Sequence, residues 1–300
     1  MDIRTILAAT DLSPSAIAAV RRAALIARAH DARLELIHVI PESTRSAVWQ
    51  EFRALMTGPE LDLSAAVAES LDALVAQIET ESSVKAHVSI VEGKPFAEIA
   101  ARAVAIDADV IVVGAHGENI VLTPMLGTTA HRVLQFARTP VLLVKQTPSS
   151  DDFAQPGYRH IVVATDFSAD SLQAAKSARR LFPQSRVTLL HAYQAPFEGK
   201  LVGRVSEEAL AHYRGRALAQ ANRDLQSFAA AADAADRRQV AVHGLPSACI
   251  LQFAADNSAD LIAIGSEEVA RLQNALLGSV SLDVLTRAHC DVLLARASAR

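Results

Sequence analysis

Several residue types that mark specialised proteins are scarce in this sequence of 300 residues. It contains only two cysteines, Cys249 and Cys290, so we expect small buried thiols in a reducing compartment and no disulfide framework. Aromatic residues are also few, at 4%, whereas hydrophobic residues make up 51% and are mainly aliphatic. This balance favours α/β layers, in which aliphatic strands are covered by alanine-rich helices.

The chain also lacks an excess of positive charge and a long apolar run. Its formal net charge is −4, so its composition gives no electrostatic reason to expect binding to nucleic acid or to an anionic membrane. No charge-poor apolar segment approaches the ~18 residues needed to span a bilayer. The N-terminal residues lead directly into a predicted strand and do not resemble a signal peptide. We therefore expect a cytoplasmic protein.

The sequence contains two copies of one unit. Residues 6–13 (ILAATDLS) return at 161–168 (IVVATDFS), and residues 141–144 (VLLV) return at 292–295 (VLLA). The matched segments keep their order, which indicates a tandem repeat with small differences in loop length. A polar stretch rich in proline and serine separates the copies. The predicted units are a first domain over 1–147, a linker over 148–157 and a second domain over 158–300.

Each copy alternates predicted strands and helices, in the order β-α-β-α-β-α-β-α-β. Such alternation favours a parallel sheet with helices on both faces. Ligands of such sheets bind beyond the carboxyl ends of the strands. Asp11 and Gly114 both follow strands at that edge, so we expect them to line one crevice. In the first copy the predicted strands lie near 3–9, 34–40, 84–91, 109–113 and 141–145, and the predicted helices near 14–30, 64–80, 96–106 and 128–137.

A glycine motif directly after the predicted fourth strand is the most informative part of the sequence. Residues 114–117 (Gly-Ala-His-Gly) are followed, after nine intervening residues, by 127–129 (Gly-Thr-Thr), where a helix is predicted to begin. Glycines let backbone N–H groups approach an anion closely, and the start of a helix adds free N–H donors and the positive end of its dipole. The motif predicts an anion cradle, and the alternative is a tight strand-to-helix turn without a ligand.

These features together resemble the universal stress protein family in its tandem-domain form. The resemblance rests on the strand ending in Thr10-Asp11-x-Ser13, on His38-Val39, on the Gly-x-Pro before the third helix and on the glycine motif. It implies two α/β domains of the adenine-nucleotide alpha-hydrolase-like type, each with a five-stranded parallel sheet in the order 3-2-1-4-5. It also implies pairing through the fifth strands, here as an intramolecular pseudo-dimer, and leaves a homodimer open.

Family members with the complete motif bind ATP or related adenine nucleotides, so the resemblance implies a nucleotide site in the first domain. Asp11 and Thr10 would lie near the adenosine and Val39 would contact the adenine, while the glycines and threonines would hold the phosphates. ATP is the implied ligand, with ADP and AMP as alternatives and Mg²⁺ as a candidate companion ion. The implied site residues are Thr10, Asp11, Val39, Gly114, His116, Gly117, Gly127, Thr128 and Thr129.

The second copy departs from the motif at one position. Glu268 stands where the first copy has Gly117, with the spacing to Gly278 unchanged. If that glycine needs a positive φ, a glutamate there costs about 1–3 kcal/mol. A carboxylate about 4 Å from a phosphate charge adds roughly 4 kcal/mol of repulsion at an effective dielectric of about 20. We therefore expect the second domain to bind nucleotide poorly or not at all.

Structural roles compete with ligand binding at several of these residues. Asp11 fits a helix cap as well as an adenosine contact, and for Asp166 we favour the cap. His38 and His191 lie in apolar strands, where a histidine satisfied by hydrogen bonds is expected more often than a ligand. The connection over 41–63 is long, and a lid, a partner patch or a helical excursion packed on its own domain would each account for it.

No catalytic arrangement is recognisable in the sequence. It has no Gly-x-Ser-x-Gly elbow and no Walker Gly-x4-Gly-Lys motif, and His116 has no Cys, Asp or second His at a metal-ligand spacing. We therefore expect no metal site and no enzymatic activity beyond slow or incidental ATP hydrolysis. The predicted function is that of a nucleotide-dependent regulator or sensor in the stress response. The alternative is a nucleotide-independent scaffold that binds partner proteins.

Overall fold

The computed structural model describes residues 2–42, 63–117, 126–148, 157–201, 203–266 and 277–297. The chain divides into two compact units, Met1–Gly157 and Tyr158–Arg300, and each is described by itself. Within the described ranges, no helix is both long and apolar enough to cross a membrane.

The described part of the first unit is a five-stranded parallel sheet covered by helices. The strands lie in the order β3-β2-β1-β4-β5, which confirms the predicted order 3-2-1-4-5. Each predicted strand and helix of this unit is present. The strands are β1 (Thr5–Ala9), β2 (Arg33–Pro41), β3 (Ala86–Gly93), β4 (Val110–Gly114) and β5 (Val141–Val144). The helices are α1 (Pro14–His30), α2 (Leu63–Ser82), α3 (Pro95–Ala105) and α4 (Thr128–Phe136).

The second unit repeats this topology. Its strands are all parallel and lie in the order β8-β7-β6-β9-β10. They are β6 (His160–Ala164), β7 (Arg186–Tyr193), β8 (Arg238–His243), β9 (Leu261–Gly265) and β10 (Asp291–Ala295). The helices are α5 (Ala169–Leu181), α6 (Glu198–Leu201), α7 (Glu207–Ala231), α8 (Pro246–Asp256) and α9 (Ser279–Arg287).

Helix α1 shows how the sequence brings a helix close to the sheet. Its inner face carries alanines, of which Ala19, Ala23 and Ala24 are fully buried, and these short side chains allow a close approach. Pro14 occupies its first turn, where the missing N–H costs no hydrogen bond. At its other end Asp31 adopts φ 50°, and its N–H bonds the carbonyl oxygens of the last turn. The helix therefore begins and ends at defined residues.

Two features predicted from the sequence lie outside the described residues. One is the connection after β2, for which a lid, a partner patch or a helical excursion was predicted, because residues 43–62 are not described. The other is the altered position of the second glycine motif, because Glu268 is not described either.

One buried polar position, in the second strand of each unit, has different hydrogen-bond partners in the two units. In β2 the carboxylate of Glu35 is 1% exposed and accepts hydrogen bonds from Arg102 Nε (2.5 Å) and Arg33 Nη2 (3.0 Å). At the equivalent position of β7 stands Thr188, whose hydroxyl lies 3.0 Å from His160 Nε2. The second unit thus uses neutral partners where the first uses ions.

The surroundings of the His160 imidazole favour its neutral form. His160 is 2% exposed, and burial lowers its pKa below the ordinary value of 6.5. Its other ring nitrogen, Nδ1, lies 3.1 Å from the carbonyl oxygen of Asn257, which partly opposes that shift. Because the folded pKa is lowered, the unfolded chain binds the proton at higher pH than the folded chain does. The stability that neutral His160 contributes is complete above the unfolded pKa and is lost as the pH falls through the folded pKa.

Replacing His160 with threonine, the residue that β1 carries at the equivalent position, should reduce the pH dependence of stability. Thermal unfolding of the full chain would be followed between about pH 7.5 and about pH 5.5, where an ordinary histidine titrates. We expect Tm to fall more steeply with acidification for the wild type than for His160→Thr. His212→Thr, at an exposed position of α7, is the control. Equal slopes for wild type and His160→Thr would contradict the assignment.

Candidate functional site

The turn after β1 brings the first of the predicted site residues to the carboxyl edge of the sheet. The N–H of Thr10 donates to the carbonyl oxygen of Ile37 in β2 (3.0 Å), which ties the turn to the neighbouring strand. The hydroxyl of Thr10 accepts the N–H of Leu12 (3.0 Å). Leu12 adopts φ 66°, an unfavourable conformation for a residue other than glycine. Such a residue persists only where its surroundings fix it.

Asp11 lies at the outside of this turn and is not the cap of α1. One of its carboxylate oxygens, Oδ1, accepts the N–H of Ser13 (3.0 Å). The cap is Ser13 itself, which is buried and accepts the N–H of Ala16 through its hydroxyl (3.3 Å). The other carboxylate oxygen faces Gly117, since a Cβ added there would lie 2.9 Å from Asp11 Oδ2. The structure therefore brings Asp11 and Gly117 together.

Gly114 is required by packing against α1. A Cβ at this position would lie 2.6 Å from the backbone carbon and oxygen of Ser15, which is closer than real Cβ atoms come. Two residues on, the N–H of His116 donates to the Ser15 hydroxyl (3.2 Å). Ser15 therefore joins the first turn of α1 to the loop after β4. The sequence analysis missed this residue, because nothing in its spacing distinguishes it from an ordinary helix residue.

The structure gives a different reason for the second glycine of the motif than the one predicted. Gly117 does not adopt a positive φ, so the strain argument made for a glutamate at this position is wrong for the first unit. What the position requires is space and the absence of negative charge, because the Asp11 carboxylate lies beside it. The electrostatic argument is unaffected by this correction.

The start of α4 lies directly against the glycine turn. The N–H of Gly127 donates to the carbonyl oxygen of Ala115 (2.8 Å), and a Cβ on Gly127 would lie 3.5 Å from the backbone nitrogen of Gly117. No side chain caps α4, and both Thr128 and Thr129 are exposed. The N–H groups of its first turn have no acceptor within the helix. The two parts of the motif thus form one surface with backbone donors.

Of the remaining predicted residues, His116 is exposed in the glycine turn itself. Val39 is 9% exposed and lies in β2, two residues beyond Ile37, whose carbonyl oxygen bonds Thr10. Strands β2 and β4 flank β1 on opposite sides, so Val39 and Gly114 lie on either side of the turn that carries Asp11. Across the described ranges, no group of three or more His, Cys, Asp or Glu side chains is placed to hold a metal ion.

The second unit builds the same edge with a carboxylate in place of the Ser15 hydroxyl. A Cβ on Gly265 would lie 2.6 Å from the Ser171 nitrogen, so α5 packs against β9 as α1 does against β4. The residue equivalent to Ser15 is Asp170. Its carboxylate accepts the hydroxyl of the fully buried Ser266 (2.6 Å) and the N–H of Ala297 (2.8 Å). The sequence analysis did not single out Asp170.

The turn after β6 repeats the turn after β1. Phe167 adopts φ 67°, and the cap of α5 is Ser168, which accepts the N–H of Ser171 (3.2 Å). The prediction that Asp166 caps this helix is therefore wrong. Burial raises the pKa of the Asp166 carboxyl, but hydrogen bonds from Ser168 and Ser171 outweigh it and hold that pKa below its ordinary value. The aspartate therefore holds the cap residue Ser168, whose N–H and hydroxyl both donate to its Oδ1.

Comparison with known proteins assigns the chain to a family. The model of the universal stress protein family matches residues 2–145 and again residues 157–296. The chain belongs to the universal stress protein family. The two matches make it a tandem member, as the sequence analysis predicted.

Individual relatives of this tandem universal stress protein have low sequence identity to it. A universal stress protein of Methanocaldococcus jannaschii is 32% identical over 147 residues, which cover 46% of this chain and 82% of the relative. Universal stress protein A homolog 1 of Coxiella burnetii is 30% identical over 144 residues, covering 48% and 97%. The crystal structure of a universal stress protein from Archaeoglobus fulgidus shares the fold, with a TM-score of 0.68, 20% identity and coverage of 97% and 98%.

The close packing at the strand ends leads to a stability prediction. Gly114→Ala and Gly265→Ala should each destabilise the protein by about 1–3 kcal/mol, because the added methyl group meets helix backbone that cannot move aside cheaply. Gly215→Ala is the control. This glycine is in α7 with nothing within 4 Å of an added Cβ, so alanine should stabilise by up to about 1 kcal/mol. Chemical unfolding of the three variants measures these changes, and equal stabilities would contradict the packing argument.

Proposed function

We propose that the first domain of this tandem universal stress protein binds an adenine nucleotide, with ATP as the first candidate. The proposal rests on one observation, the contact between the glycine turn and the start of α4. The Gly127 N–H makes this contact by donating to the Ala115 carbonyl oxygen (2.8 Å). This surface lies beside the Asp11 carboxylate. A polar group suited to a nucleoside and donors suited to phosphate therefore stand at one edge of the sheet.

Different residues of the candidate site fit different parts of a nucleotide. The phosphates would accept hydrogen bonds from the first N–H groups of α4 and from the exposed hydroxyls of Thr128 and Thr129. The absence of side chains at Gly117 and Gly127 leaves room for that approach. Asp11 Oδ1 is already bound by the Ser13 N–H, so its carboxylate is fixed before a ligand arrives. Thr10 and Val39 would complete the adenosine side.

The second domain, by this proposal, binds nucleotide poorly or not at all. Glu268 stands in place of Gly117, and Asp170 places a further carboxylate at the loop after β9. Two hydrogen bonds hold the Asp170 carboxylate there. Negative charge near a phosphate is repelled by roughly 4 kcal/mol at about 4 Å in a partly exposed site. The chain would thus carry one nucleotide and act as a nucleotide-dependent regulator or sensor in the stress response rather than as an enzyme.

The first test is the stoichiometry of ATP binding. Calorimetric titration of ATP with Mg²⁺ into the nucleotide-stripped full chain should give about one site per chain, because only the first unit has the uncharged glycine motif. Two sites would overturn the proposal for the second domain. No binding would overturn the nucleotide proposal and leave the scaffold function, in which the glycines serve only as a turn.

The second test asks whether the nucleotide binds beside Gly117. Gly117→Glu adds a carboxylate beside Asp11 and the phosphate donors, so ATP affinity should fall by about a hundredfold or more. Gly215→Glu, in an exposed turn of α7, adds the same charge to the chain away from the site and should leave affinity unchanged. Titration of both variants beside the wild type measures the difference. Equal affinities would place the nucleotide elsewhere.

A further inference from the structure

A buried hydrogen bond between β2 and the turn after β1 occurs in both units. In the first unit His38 Nδ1 lies 2.9 Å from the carbonyl oxygen of Thr10, and His38 is 9% exposed. In the second unit His191 Nδ1 lies 2.8 Å from the carbonyl oxygen of Thr165. A carbonyl oxygen only accepts hydrogen bonds, so Nδ1 carries the proton in both histidines.

The hydrogen bond from His38 adds to two others that hold Thr10 in place. The Thr10 N–H is held by Ile37, and its hydroxyl holds the N–H of Leu12, which adopts φ 66°. The carbonyl of Thr10 starts the peptide unit that leads to Asp11, and the histidine holds it. All three polar groups of Thr10 are therefore bonded, and the peptide planes on both sides of it have defined orientations. The strained turn at Leu12 depends on this support.

We propose that His38 is a positioning residue for the nucleotide site. Through the Thr10 carbonyl it orients the peptide that carries Asp11, and so aims the Asp11 carboxylate at Gly117. It acts through the turn and does not itself touch the ligand. The inference rests on the proposed nucleotide site in the first domain, and it adds a residue that the sequence analysis interpreted only as a core histidine.

The second unit provides an internal control for this role. His191 makes the same bond from the equivalent strand, but its ring also packs on Phe167, with the ring centroids 4.3 Å apart. Phe167 lies in turn 6.0 Å from the ring of Phe228 in α7. The turn of the second unit thus has ring contacts at Phe167, where the first unit has Leu12. Substitution of His191 tests the structural effect alone, because no nucleotide is proposed there.

The test compares His38→Leu, His38→Asn and His191→Leu in the full chain. Leucine keeps the bulk but removes the donor, whereas the asparagine amide can replace the Nδ1–H. We expect His38→Leu to weaken ATP binding about tenfold, the loss of one buried hydrogen bond. We expect His38→Asn to stay within about threefold of the wild type and His191→Leu to bind as the wild type does. Thermal unfolding of each variant accompanies the titrations.

A second readout does not need the ligand. Hydrogen exchange of the Leu12 and Ser13 amides, which are bonded within the turn, should accelerate in His38→Leu and not in His38→Asn. Wild-type affinity in His38→Leu, or an equal loss in His191→Leu, would overturn the positioning role. If the wild type itself binds no ATP, the nucleotide proposal fails first. Unchanged exchange in His38→Leu would then overturn the role of His38 separately.

Discussion

The close approach of the first helix to the end of the fourth strand is the constraint on which the candidate site depends. An added Cβ on Gly114 would lie 2.6 Å from the backbone of Ser15, and Gly265 stands in the same relation to Ser171. Helix α1 begins where the turn after β1 ends, so its contact with β4 also draws that turn toward the glycine loop. The meeting of Asp11 with Gly117 thus follows from packing, and the proposed nucleotide site depends on the same contact.

Most of the fold could be predicted from the sequence because its signals are local and repeated. Aliphatic runs and helical periodicity gave element bounds close to those observed, as for α1, predicted and found over Pro14–His30. Proline and serine at the start of α1 mark a boundary through backbone chemistry alone. The strand order came from the resemblance to a family, since spacing in the sequence does not determine which strands are neighbours. Because the sequence repeats, the same strand order was predicted for both units.

The parts that could not be predicted depend on contacts between distant residues. Asp11 and Ser13 are both good helix caps, and the choice between them follows from the left-handed turn at Leu12. That turn is supported by Thr10 and, through its carbonyl, by His38 from another strand. The sequence shows each residue but not the bond that joins them. Likewise, a glycine such as Gly117 can be needed for space rather than for φ, and only its surroundings distinguish the two reasons.

The comparison of the two units separates the features proposed to bind an anion from those that form the fold. Both α4 and α9 begin at a glycine with no side-chain cap, so backbone donors remain at each helix start. The units differ in charge at the adjoining loop, where one has the Ser15 hydroxyl and the other the Asp170 carboxylate. That carboxylate is bonded to Ser266 and to a backbone N–H, so it is fixed by the same packing that fixes the fold. Under the proposed function, a difference in nucleotide binding between the two domains needs no change in topology, because an added negative charge in the adjoining loop is sufficient to repel a phosphate.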